Sequence, residues 1–336
     1  MLSRGENNGH IQGQNDDQNW ESLLRPSGFD DYIGQDSMKK SLRIILDAAN
    51  QRGESIDHLL FYGQAGLGKT TIAHIVAKEM GGNLKVTSGP AIEKTGDLAA
   101  ILTNLESGDI LFIDEIHRLN RMIEEVLYPA MESRSLNIIL GKGPSARTIS
   151  LDLPPFTLIA ATTRVNLISG PLRSRFGATF RLDYYTIADI SEIIRRSARI
   201  LGVDIETGAI DMLSHASRFT PRTANRLLKR ARDLAQVSGI PAINTSSLGD
   251  LFNILEIDKA GLEYQDRRLL RILSDHFAGG PAGINSLSAA LGEEKGVIED
   301  VYEPFLMKMG LIKRTSSGRM LTPEAVDYLN AEDKNK

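Results

Sequence analysis

The chain has 336 residues, a net charge of −4, a pI near 5.9 and no cysteine, so a disulfide framework, a thiolate zinc site and a cysteine nucleophile are excluded. With 41% hydrophobic and 24% charged residues it has the make-up of a globular protein of two or three domains. No run approaches the roughly 18 apolar residues of a membrane span, the N-terminal stretch lacks the apolar centre of a secretion signal, and the acidic total argues against nonspecific coating of nucleic acid; a cytoplasmic protein without membrane partners is expected.

Residues 1–19 are dominated by Asn, Gln and Asp with interspersed Gly, a composition that buries too little apolar surface to offset chain entropy. A disordered polar tail is expected there. From 20 to 185, short apolar runs alternate with helical periods. Leu59-Leu60-Phe61-Tyr62, Ile110-Leu111-Phe112-Ile113 and the run 156–161 are buried-strand candidates, and 70–80 and 121–131 read as helices. This alternation predicts an α/β domain, a parallel sheet with helices on both faces. Over 186–256 the strand signals stop, and Ile190, Ile193, Ile194, Ala198 and Leu201 recur at helical spacing, as do Ala224, Leu227, Leu228, Ala231, Leu234 and Ala235; this predicts a small helical domain. In 257–336, helical patterns at 265–277, 286–291 and 295–309 precede two short strand signals around Ser316-Ser317-Gly318. Three helices and a terminal hairpin describe a winged helix.

The chemistry starts at 63–70, where GQAGLGKT matches G-x-x-x-x-G-K-[ST] between a strand and a helix. Glycines let backbone N–H groups curl around phosphate oxygens, and the following helix adds its positive N-terminal end. Lys69 reaches the β- and γ-phosphates and the Thr70 hydroxyl suits Mg²⁺. The run 110–115, ILFIDE, is an apolar strand ending in two carboxylates at the sheet edge where α/β folds bind ligands. Asp114 would orient Mg²⁺ and Glu115 would polarise an attacking water, which implies ATP hydrolysis rather than nucleotide storage.

Three further signals carry alternatives. The hydroxyl at Thr162 or Thr163, after the third strand, either senses the γ-phosphate or caps a turn. In 170–176, GPLRSRF, the arginines are either solvated charge or an arginine finger, with Arg175 reaching a neighbouring subunit's γ-phosphate. Arg222, opening a helix after Thr220-Pro221, either reports nucleotide state or lies on the helix surface. Finally, Leu136, Ile138, Leu140, Ile149 and Leu151 alternate around Gly141-Lys142-Gly143-Pro144. That hairpin either protrudes as a sticky patch or packs on its own domain.

In this order the elements resemble the AAA+ ATPases: phosphate loop, acidic strand, polar sensor, arginine finger, helical lid. The runs DILFIDEIHRL at 109–119, VLYPAMES at 126–133, PPFTLIAATTR at 154–164, PLRSRFG at 171–177 and TPRTANRLLKRARD at 220–233 resemble, more narrowly, the RuvB family of bacterial Holliday-junction branch-migration motors. The likeness covers about 20–330. It implies an AAA+ core, a lid and a C-terminal winged helix, acting in recombination and repair of DNA damage within the SOS response. It implies that Leu24, Arg25 and Tyr185 lie by the adenine, and that Gly66, Gly68, Lys69, Thr70 and Thr71 hold phosphates. Thr70 and Asp114 serve the metal, and Thr162 is favoured as first sensor. Glu132, Ser133 and Arg134 approach nucleotide near a subunit boundary, and Arg222 is the second sensor. Lys295, Arg314 and Arg319 contact DNA. ATP or ADP with Mg²⁺, a homohexameric ring on duplex or junction DNA, RuvA docked on the 135–153 hairpin and the RuvC resolvase in a wider complex are the implied cofactors and partners. Gln64 and Ala65 depart from the two prolines usual in the family's loop, a change expected to alter its stiffness. The competing readings are a clamp-loader-like or protein-remodelling ATPase, opposed by the hairpin and winged helix, and a nucleotide-gated DNA-binding regulator, opposed by the intact acidic pair.

The net charge also hides a local contrast. Residues 306–322 carry Lys308, Lys313, Arg314 and Arg319 with no acid, which fits a local basic contact with DNA rather than a basic surface throughout.

Overall fold

The computed structural model describes residues 20–140 and 147–334. The expected tail over 1–19 and the Gly141-Lys142-Gly143-Pro144 turn lie outside the described residues, as do the side chains of Ile138 and Leu140. The chain forms two compact units, 1–184 and 185–336.

The first unit is built on five parallel strands, β1 (Leu59–Tyr62), β2 (Leu84–Ser88), β3 (Ile110–Asp114), β6 (Thr157–Thr162) and β7 (Ala178–Arg181), in the order β2-β3-β6-β1-β7. A separate antiparallel pair, β4 (Ser135–Leu140) and β5 (Arg147–Asp152), forms the expected hairpin. The three central strands are the three apolar runs read from the sequence. They are covered on both faces, so nearly every residue in them is buried. The helix Arg121–Glu132 packs Ile123, Leu127, Ala130 and Met131 into the same core as Leu111, Ile113, Leu158 and Ala160. Its start is fixed by Asn120, whose side chain accepts from the N–H of Ile123 at 3.0 Å.

The second unit begins with helices Ile187–Ile200, Thr207–Ala216, Pro221–Val237 and Thr245–Ile254. Thr186 and Asp189 close a reciprocal cap on the first, and Thr220 with Pro221 opens the third. Helices Tyr264–Phe277 and Ile284–Leu291 follow, then a helical run from Lys295 to Lys308 with a π-helical stretch, Ile298–Tyr302, just before Pro304. Pro304 has no N–H to continue the i→i−4 ladder. Strands β8 (Ile312–Thr315) and β9 (Gly318–Leu321) make the wing, and β9 is bridged on its other side by Ala282. A last helix, Pro323–Lys334, buries Ala325 and Leu329 against the winged-helix core.

Within this unit the helical part is fastened to the winged-helix part through Arg218. Arg218 and Phe219 both have positive φ, 55° and 58°. The Arg218 guanidinium lies 4.3 Å from the ring centroid of Phe305 and donates to Asp266 Oδ1 at 3.1 Å. Asp266 is fully buried, and burial pushes its carboxyl up to about 6, against the opposing pull of Arg218. The folded-state value lies above the ordinary aspartate value of about 3.9, so the folded protein binds the extra proton between pH 4 and 6. The stability this group contributes is therefore present at the acid end of that window and lost as pH rises through it, by about 3 kcal/mol. Urea unfolding of the parent and Asp266→Asn across this range measures it: the parent-minus-variant difference should fall by about 2 kcal/mol, most of that amount, between pH 4 and 6.5. A flat difference would show that the carboxyl titrates normally.

Candidate active site

The sheet order sets the geometry. β6 lies between the phosphate-loop strand and the acidic strand, paired with Tyr62↔Thr162 on one side and Ile113↔Ala160 on the other. The loop after β1, the carboxylates ending β3 and the threonines ending β6 therefore emerge on one edge. Gly63 N–H donates to Thr162 O at 3.2 Å, and Leu182 N–H donates to Tyr62 O at 2.8 Å. Gly66 and Gly68 hold positive φ of 81° and 96°, a region that disfavours side chains. At Gly68 a Cβ would also lie 2.9 Å from the Tyr32 hydroxyl. The loop leads into helix Lys69–Glu79. Lys69 is buried and its ammonium donates to the carbonyls of Gly63 and Gln64 at 2.8 and 2.9 Å. Thr70 and Thr71 follow on the first turn, where the free N–H groups favour an anion.

At the acidic strand, Asp114 Oδ1 accepts from the N–H of Glu115 at 2.9 Å. Glu115 has φ 48°, a conformation that costs a non-glycine residue about 1–3 kcal/mol. Gly89 backs this turn: a Cβ there would collide with the Glu115 carbonyl oxygen. Glu115 Oε2 lies 3.1 Å from His117 Nδ1 and accepts from the Thr163 hydroxyl at 3.2 Å. The neighbouring Thr162 is buried, with its hydroxyl 2.8 Å from His117 Nδ1 and accepting from the N–H of Arg164 at 2.9 Å. Of the two threonines, it is thus Thr163 that touches the acidic residue and Thr162 that ties down the strand end. His117 joins both and was not among the residues singled out from sequence. Its signal was its position, two residues after Glu115.

Arg175 follows the short helix Gly170–Arg173. It donates to Pro171 O at 2.6 Å and pairs with Glu132 at 3.1 Å. Glu132, Ser133 and Arg134 are exposed at the end of helix Arg121–Glu132, with the Ser133 hydroxyl donating to Pro129 O at 3.0 Å and Arg134 at φ 52°. Leu24 is buried beside the half-buried Arg25. Tyr185 and Arg222 belong to the second unit: Tyr185 is buried and its N–H donates to Phe219 O at 3.1 Å, while Arg222 is exposed in the first turn of helix Pro221–Val237.

Sequence models of one family match the chain in three consecutive pieces. Residues 24–182 match the Holliday junction DNA helicase RuvB P-loop domain, 185–258 the RuvB AAA lid domain and 259–330 the RuvB C-terminal winged helix domain. A solved structure of the Thermotoga maritima RuvB Holliday junction branch migration motor is 47% identical over 92% of this chain and 98% of that one, with a TM-score of 0.84. Two single-substitution variants of the Thermotoga protein, at 47% and 46% identity, superpose with TM-scores of 0.85 and 0.83. The chain belongs to the RuvB family. It has the α/β AAA+ core, the lid and the winged helix expected, and it is a P-loop ATP hydrolase.

Two features of this RuvB-family chain differ from their sequence reading or refine it. Arg319, expected at the DNA surface, is only 7% exposed. Its Nε donates to Glu303 at 2.5 Å and its Nη2 to Glu299 at 2.9 Å, so the guanidinium faces the winged-helix core rather than solvent. Arg314, its partner across the hairpin, is half-exposed and pairs with the same acids at 2.7 and 3.2 Å. Lys295 is exposed, as is Lys313 on the opposite face of the wing. In the other hairpin, Leu136 is buried in the core of the first unit, whereas Ile149 and Leu151 are 43% and 38% exposed. The base of this hairpin packs on its own domain and its second strand presents apolar side chains outward. Among the described residues no helix is long and apolar enough to cross a membrane.

Proposed function

We propose that this chain is an ATP-driven motor of Holliday-junction branch migration, acting as a cytoplasmic homohexameric ring on duplex DNA with RuvA at the crossover and RuvC in a wider complex. The observation that carries this reading is the convergence of Lys69, Asp114, Glu115 and Thr163 on one sheet edge of a chain that also carries a lid and a winged helix. Gly66, Gly68, Lys69, Thr70 and Thr71 bind the phosphates of ATP. Leu24, Arg25 and Tyr185 flank the adenine. Glu115 takes the proton of the attacking water, since a carboxylate held by one hydroxyl and one imidazole keeps an oxygen available to accept. Thr163 takes the sensor role in preference to Thr162, whose hydroxyl is already engaged at 2.8 and 2.9 Å.

Among the described residues no group of three or more His, Cys, Asp or Glu could hold a metal unaided. That suits Mg²⁺, which binds through nucleotide phosphates and one or two protein oxygens. Thr70 and Asp114 would hold it, and it would supply charge neutralisation of the β- and γ-phosphates. Arg175 acts as the finger toward a neighbour's γ-phosphate, close to Glu132, Ser133 and Arg134. Arg222 reports nucleotide state from the lid. In the winged-helix region, Arg314 on the wing and Lys295 at the start of the preceding helical run remain the DNA contacts of this reading, made to the backbone and sensitive to salt.

Branch migration of a synthetic four-way junction tests the whole. Strand exchange should require this chain, RuvA, ATP and Mg²⁺ together. Replacing both Ile149 and Leu151 with Asp should cut RuvA-dependent migration at least about tenfold, because removing two buried apolar side chains from an interface commonly costs that much or more. DNA-stimulated ATP turnover with no strand exchange at any RuvA concentration would sink the motor assignment. Full migration by the hairpin variant would leave RuvA docking elsewhere.

A further inference from the structure

The finger candidate is held from two sides by one residue that no motif assigns. Tyr128 lies one helical turn before Glu132 on helix Arg121–Glu132, and the Arg175 guanidinium sits 4.4 Å from its ring centroid. The Tyr128 hydroxyl is 3.1 Å from Ser169 Oγ and donates to Glu124 Oε2 at 3.3 Å. Glu124 is buried. Ser169 is the cap of the short helix Gly170–Arg173, accepting from the N–H of Leu172 at 3.3 Å. The ring therefore touches the arginine head, while the hydroxyl holds the root of the helix from which that arginine extends.

We propose that Tyr128 is a positioning residue for Arg175, presenting its guanidinium for a phosphate on the adjoining subunit. The proposal rests on the finger reading of Arg175. An aromatic face attracts a guanidinium without neutralising it, so the arginine keeps its charge for a transition state it meets in another subunit. Glu132 alone would hold the arginine by charge and compete with the phosphate; its contact is single and its side chain is more than half exposed. The Arg175 Nε is buried with no hydrogen-bond partner among the described residues, so the guanidinium is placed by the Tyr128 ring and by its outer nitrogens, one donating to Pro171 O and one paired with the exposed Glu132. The hydroxyl link to Ser169 and Glu124 limits rotation of the ring, and so fixes where the guanidinium rests.

Steady-state ATP turnover with duplex DNA tests this in three arms. Tyr128→Leu should lower kcat about tenfold, the effect of losing a partly desolvated cation–π contact, with KM and nucleotide affinity changed less than about twofold because its own pocket is intact. Tyr128→Phe, which keeps the ring and guards against a folding defect, should lose less. In the Arg175→Ala background, Tyr128→Leu should cost nothing further. In mixtures with Lys69→Ala subunits, which carry an intact finger beside an inactive pocket, both Tyr128→Leu and Arg175→Ala subunits should gain turnover. If Arg175→Ala gains in mixtures and Tyr128→Leu does not, or if Tyr128→Leu still costs turnover without Arg175, the positioning role is overturned and the finger stands. If Arg175→Ala gains in no mixture, the finger reading falls and the role of Tyr128 falls with it.

Discussion

Glu115→Gln is expected to bind ATP as the parent does and to hydrolyse it about 10²–10⁴-fold more slowly, the range a positioned general base supplies. The substitution is isosteric. An amide at this position still accepts from the Thr163 hydroxyl, which now sits 3.2 Å from Oε2, so the sheet edge should be undisturbed. What disappears is the negative charge that makes the oxygen a proton acceptor. The backbone sharpens the expectation, because Glu115 is held at φ 48° against Gly89 and its Cα cannot relax toward an alternative water position without rebuilding the turn. Equilibrium binding of a fluorescent nucleotide and DNA-stimulated turnover, measured on the same preparation, separate the two effects. Lost binding would mean that the carboxylate holds the nucleotide. Retained turnover would move the base to another residue.

The three central strands could be read from sequence because burial on both faces demands unbroken apolar runs. The two outer ones could not. β2 (LKVTS) and β7 (ATFR) lie at opposite edges of the sheet, and their mixed composition matches no buried-strand pattern. The phosphate loop and the acidic pair were legible because their chemistry requires fixed residues at fixed spacing. The threonine choice was not, since two adjacent hydroxyls at a strand end differ only in which way each points. Tyr128 and His117 act through contacts with residues 41 or more positions away in sequence, Ser169 and Thr162 respectively, and no local pattern announces such contacts. The final helix, Pro323–Lys334, is weakly amphipathic and buries only Ala325 and Leu329, which explains its absence from the expected elements.

The burial of Arg319 is the most instructive difference, because the strand period already pointed to it. Side chains alternate across a strand, so Arg319 shares a face with Leu321, and Arg314 shares one with Ile312. Ile312 and Leu321 are core residues. The family resemblance implies a DNA contact for both arginines of this hairpin, whereas its register points them toward Glu299 and Glu303, four residues apart on one helical face.

Arg319→Ala is accordingly expected to destabilise the winged-helix region by about 3–5 kcal/mol, the cost of stripping one partner from a buried ion pair. Glu303 is 3% exposed and, among the described residues, would keep only Arg314, at 3.2 Å, as a cationic partner. DNA affinity should fall as well, but as a consequence of the disturbed wing. The pair substitution Arg319→Met with Glu303→Leu distinguishes this from a direct contact. Exchanging both charges for apolar groups of similar size is often neutral or stabilising, so the double variant should melt near the parent and hold duplex DNA within about twofold, while its binding keeps the parent's salt dependence. Lys313→Ala, on the exposed face of the same hairpin, should leave the melting transition unchanged and reduce the slope of log K against log salt by about one. A double variant that melts like the parent yet loses DNA affinity and salt slope would return Arg319 to the DNA surface, and would mean that the wing turns its arginines outward when it binds.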